Sequence, residues 1–86
     1  MLKGKTQSGF KFEISDATLN NFELLEALSE METNPLRLPT VAQLLLGEQK
    51  KTLFDHLRAE DGTVPIEDVE RELMEIFRYN TKLKNS

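Results

Sequence analysis

The chain carries one imidazole, His56, set between Asp55 and Leu57. Histidine is the side chain whose ordinary pKa suits proton transfer near neutrality. To activate a nucleophile it needs a Ser, Cys or Thr within reach and a third group to orient it; to hold zinc it needs companion ligands. There is no HExxH, GxSxG or CxxC, and no cysteine at all. His56 therefore reads as a surface or half-buried residue. Glu60-Asp61-Gly62 opens like a calcium loop, yet Val64, Pro65 and Ile66 stand where oxygen ligands must alternate. Gly4, Gly9, Gly47 and Gly62 are isolated, so no glycine-rich phosphate cradle forms. No catalytic residue, metal or cofactor site is expected.

Two charged groupings point to binding instead. Glu23, Glu26 and Glu30 make an acidic row, either a solvated helix face or a contact for a basic partner that salt would weaken. The stretch 39–58 offers two helices joined at Leu46-Gly47-Glu48, with Lys50, Lys51 and Arg58 on the second. That outline fits a helix-turn-helix reaching DNA, though its first helix is very apolar and its surroundings are acidic.

The elements that would position these groups follow from periodicity. Gly9-Phe10-Lys11-Phe12-Glu13-Ile14 alternates apolar and polar, a half-buried strand, and 2–6 can pair with it through a Gln7-Ser8-Gly9 turn. A first helix starts at an Asn20 cap, with Glu23 completing a capping box and Leu24, Leu25, Leu28 and Met31 facing inward. Thr33-Asn34-Pro35 breaks it, and Pro39 opens a second helix that ends at Gly47. The apolar arc of that helix, from Leu38 through Val41, Ala42, Leu44, Leu45 and Leu46, is wider than one buried face requires. It is either sandwiched in the core or partly exposed for a partner. A third helix spans 48–59 on a stripe of Leu53, Phe54 and Leu57. Asp61-Gly62 turns the chain, and Pro65 opens a fourth helix patterned by Ile66, Val69, Leu73, Ile76 and Phe77. The predicted fold is mainly α, about four short helices bundled with a small N-terminal hairpin. It is one domain over 1–79, with the hairpin at 1–14, helices at 20–79 and a tail at 80–86.

Composition narrows the class further. Eighty-six residues with 38% hydrophobic and 30% charged side chains make a small globular domain rather than a disordered chain. The longest apolar run, 41–46, falls far short of the roughly 20 residues of a membrane span. Net charge is −4, and no Lys or Arg occurs between Phe12 and Leu36, so a nucleic acid is a poor match as main partner. The Asp-Ser pair that a phosphopantetheine-bearing carrier requires is missing. An intracellular setting is expected of a cysteine-free chain whose start lacks a secretory apolar core.

Several segments, read in order, carry a resemblance. An alternating aromatic start leads into Leu19-Asn20-Asn21-Phe22-Glu23-Leu24-Leu25-Glu26 and a proline break. Leu44-Leu45-Leu46-Gly47-Glu48-Gln49 and Leu57-Arg58-Ala59-Glu60-Asp61-Gly62-Thr63-Val64-Pro65 then precede a last helix. This order resembles the small tail assembly chaperones of long-tailed bacteriophages and prophages of Gram-positive bacteria. The resemblance spans nearly the whole chain, although such chaperones often carry acidic residues and a tryptophan where Asn20, Asn21 and Phe22 stand. It implies transient binding of the tape-measure protein, the tail-tube protein or both in the bacterial cytoplasm, and absence from the finished virion. Such binding calls for an apolar surface that accepts an amphipathic helix. Leu45 and Leu46 are the expected groove wall, flanked by Phe22 and Phe54. Two other readings stand beside it: a small regulator that binds DNA through 39–58, and an adaptor that self-associates through its leucine-rich helix.

Overall fold

Alternation over 10–14 produces the expected hairpin. Strands β1 (Leu2–Lys5) and β2 (Lys11–Ile14) pair antiparallel, Leu2 opposite Ile14 and Gly4 opposite Phe12. The computed structural model describes residues 1–85, with side chains as far as Tyr79; the tail expected at 80–86 falls outside the described side chains. Leu2, Phe10, Phe12 and Ile14 are buried beneath the hairpin, while Lys3, Lys11 and Glu13 face water. The turn closes through Thr6 N–H to Phe10 O (2.9 Å) and Gly9 N–H to Thr6 O (3.0 Å). Gly9 sits there at φ 101°, a conformation that side chains disfavour.

The chain then makes one helical turn that the sequence reading omitted, α1 (Asp16–Leu19), capped by Ser15, which accepts from Thr18 N–H. The longer α2 (Phe22–Met31) follows, and its cap is Asn21 rather than Asn20. Asn20 terminates α1, so the chain passes straight from one helix end to the next cap. Leu24, Ala27, Leu28 and Met31 point inward, whereas Leu25, expected inside, is exposed. Asn34 caps a 3-10 turn, Pro35–Arg37, which leads directly into α3 (Leu38–Leu46) with Pro39 in its first turn. Gly47 ends α3 at φ 57°. Then come α4 (Gln49–Leu57), a turn in which Asp61 accepts from the Thr63 hydroxyl (2.7 Å) and N–H (3.0 Å), and α5 (Ile66–Asn85). The Thr63 hydroxyl, and then its N–H, hold the Asp61 carboxyl below its ordinary pKa.

The result is mainly helical with a two-stranded antiparallel hairpin, as predicted. Its core runs from the hairpin through α2 and α3 to Leu53, Leu73 and Ile76. One buried residue on α5 is not apolar. Glu72 is fully buried; its Oε1 accepts from the Thr6 hydroxyl (2.7 Å) and the Ser8 hydroxyl (2.9 Å). Its Oε2 makes no hydrogen bond and faces Arg71 Nη2 at 3.6 Å. One turn on, Glu75 accepts from the Gln7 N–H at 2.8 Å, so α5 grips the hairpin turn twice.

On the buried face of the sheet, Phe12 and Tyr79 meet edge to face, with ring centroids 5.4 Å apart. Gly4 lies directly under that pair: a Cβ there would sit 2.8 Å from both the Phe12 and the Tyr79 Cζ. Gly4→Ala should therefore displace the rings and cost about 1–3 kcal/mol, read as a lowered midpoint in urea unfolding. Glu72→Ala leaves the buried Thr6 hydroxyl, and the Ser8 hydroxyl beside it, without their acceptor and should cost about 1–3 kcal/mol. Adding Thr6→Val should recover part of that loss in a double-mutant cycle, because the stranded donor is then gone.

Candidate functional site

Four elements and a loop leave an apolar groove between them. The 3-10 turn contributes Pro35 and Leu36, α3 contributes Leu38, Pro39 and Ala42, and α4 contributes Phe54. Val64 closes one end, with Ile66 and Val69 of α5 forming the far wall. The groove encloses about 450 Å³ and every lining side chain is apolar. Two of the lining residues are exposed, Leu36 at 83% and Ile66 at 68%. A large apolar side chain left in water forgoes roughly 1.5–3 kcal/mol relative to burial. Two of them facing one apolar trough form a patch rather than scattered surface residues.

The local causes are readable. Leu36 sits between two prolines: Pro35 fixes the start of the 3-10 turn and Pro39 the first turn of α3. Asn34 accepts from the Leu36 N–H at 3.2 Å, and Arg37 Nε pairs with Glu30 at 3.5 Å, which pins the turn to α2. Ile66 is the first residue of α5, directly after Pro65, too near the helix end to reach the core.

The groove wall differs from the one read off the sequence. Leu45 and Leu46 are each 3% exposed and belong to the core, because α3 is covered by the hairpin, α2 and α5 on different sides. They pack in the core and do not line this groove, unlike the groove wall expected of them. Phe54 does line the groove, half-buried. Phe22 is 72% exposed at the start of α2, next to exposed Leu25 one turn on, and is not part of the groove lining. Leu36 and Ile66 were missed; the available signal was an apolar residue set directly after a proline, where no helix face can absorb it.

His56 has a structural post. Its Nε2 lies 3.0 Å from Ser8 O and 3.1 Å from Ser8 Oγ. A carbonyl oxygen only accepts, so Nε2 carries the proton, and the Ser8 hydroxyl spends its own on Glu72. This is the reverse of a base drawing a proton from a serine. Two of the three cations of 39–58 are likewise engaged: Lys50 bonds Gln43, and Arg58 bonds Asp55 (3.0 Å) and Gly62 O (2.8 Å). Among the described residues no cluster of His or acidic side chains is placed to hold a metal ion. Among the described residues no helix is long and apolar enough to cross a membrane.

No protein-family model, curated protein or solved structure matches this chain.

The burial contrast gives a direct test of which leucines shape the core. Leu45→Ala should cost about 2–5 kcal/mol. Leu36→Ala should stay within about 0.5 kcal/mol of the parent. Urea unfolding followed by circular dichroism distinguishes the two.

Proposed function

We propose that this chain is a tail assembly chaperone of a long-tailed phage or prophage, holding a helical segment of the tape-measure protein in its apolar groove. One observation carries the reading: a preformed trough lined only by apolar side chains, among them the exposed Leu36 and Ile66. A groove of this kind suits an amphipathic helix that presents residues at i, i+3, i+4 and i+7. The resemblance in segment order supports the same class, and the net charge of −4 favours a complex that stays in solution while the partner awaits polymerisation. The tail-tube protein is the second client to test. On this reading the chaperone acts in the host cytoplasm and leaves before the virion is complete.

Co-expression with the tape-measure protein encoded beside the gene tests it. The parent chain should co-purify with the client, and Leu36→Asp or Ile66→Asp should cut the yield at least about tenfold, the loss of a single interface anchor. Both residues are exposed, so melting temperature should hardly move. Equal capture by parent and variants would sink the groove assignment, and absence of tail genes from the neighbourhood would sink the phage reading.

A further inference from the structure

The groove has an acidic border along α5. Passing around α5 from its core face, Leu73 and Ile76 are buried and Val69 and Ile66 line the groove. Glu70 follows, one turn beyond Ile66, and then Glu67. Glu67 and Glu70 share a shallow depression with Glu32, which stands at the end of α2. All three carboxylates are exposed, and among the described residues none has an ion-pair partner. Of the two cations in that depression, Arg71 is already matched, to Asp68 at 2.7 Å and Glu72 at 3.6 Å. The Asp68 contact holds its guanidinium pKa above the ordinary value. Arg78 alone remains against three carboxylates.

We infer that the occupant of the groove is an amphipathic helix bearing lysine or arginine along one edge of its apolar stripe, the edge that lies over Glu32, Glu67 and Glu70. The inference rests on the groove's holding a partner helix and adds the partner's chemistry and orientation. With its apolar stripe in the trough, the helix can present its basic edge to the carboxylates in only one of two directions about its axis. Charge thus selects which edge faces α5, while the apolar contacts supply most of the attraction.

The test uses the full chain and three synthetic helices sharing one leucine-alanine stripe, with Lys, Gln or Glu along one edge. Fluorescence anisotropy should rank them Lys, Gln, Glu, with Lys at least about tenfold tighter than Glu at low salt and the gap narrowing as salt screens exposed charges. Amide shifts should centre on Leu36, Phe54 and Ile66. The surface variant Glu67→Lys/Glu70→Lys should reverse the ranking. Equal affinity for all three helices at those residues would overturn the charge inference and leave the groove reading intact. If no helix shifts Leu36 or Ile66, both fall. A monomer–dimer equilibrium of the chain alone, abolished by Ile66→Asp, would show a second copy as the occupant and overturn the inference too.

Discussion

Glu72 ties the two ends of the chain together. A carboxylate removed from water costs several kcal/mol unless hydrogen bonds and charge replace its hydration. Here the replacements come from the hairpin turn: the hydroxyls of Thr6 and Ser8 converge on Oε1, and Arg71 stands 3.6 Å from Oε2. The turn is held in place from two more sides, by Glu75 at the Gln7 N–H and by His56 at Ser8. A two-stranded hairpin is marginal in isolation. This one is fastened to α5 and α4 by polar contacts at its turn and by Phe10, Phe12 and Ile14 beneath its strands. Directional bonds at the turn also fix register, because sliding the hairpin by one residue would strand the buried carboxylate.

That anchoring decides what happens to α3. With the hairpin secured over one side, α2 against another and α5 behind, the wide apolar arc of α3 is consumed internally, including Leu45 and Leu46. Gln49 strengthens this enclosure by accepting from the Glu13 N–H (2.9 Å) and donating to Glu13 O (2.7 Å), joining the start of α4 to the edge of β2. The first turn of α3 emerges at Pro39, and the apolar surface there continues into Leu36 and Ile66. The exposed trough is thus displaced from the most leucine-rich segment to the junctions flanking it.

These facts separate what periodicity can and cannot tell. Alternation over 10–14, the proline breaks and the Gly47 stop follow local rules, and the hairpin and the four longer helices appear where those rules put them. Leu25 and Ala27 show the limit: the wheel favours leucine inward, but close packing of α2 on α3 admits the smaller alanine and turns Leu25 out. Glu72 was illegible for a different reason. It sits on the apolar side of α5, three residues beyond Val69 and four before Ile76, and only the arrival of Thr6 and Ser8 from 64 or more residues away makes that position tolerable. The groove was missed similarly, since its lining comes from five segments whose meeting is a tertiary fact. Amphipathic arcs say how much apolar surface a helix has to cover; they do not say which neighbour covers it.

The rigidity of the groove bears on how it would bind. Its outer wall is a short turn bounded by Pro35 and Pro39, capped by Asn34 and pinned through Arg37 to Glu30. A side chain held this way cannot retreat into the core, so Leu36 stays in water at a standing cost. That same constraint lowers the ordering cost when a partner arrives, because the wall is already in its binding conformation. A mobile leucine would hide until called upon and would give back, on emerging, much of what contact contributes. Fixing it between prolines instead places the ordering cost within folding, where the core and the Glu72 anchorage offset it, and the groove proposed for a partner helix would need no rearrangement to receive one.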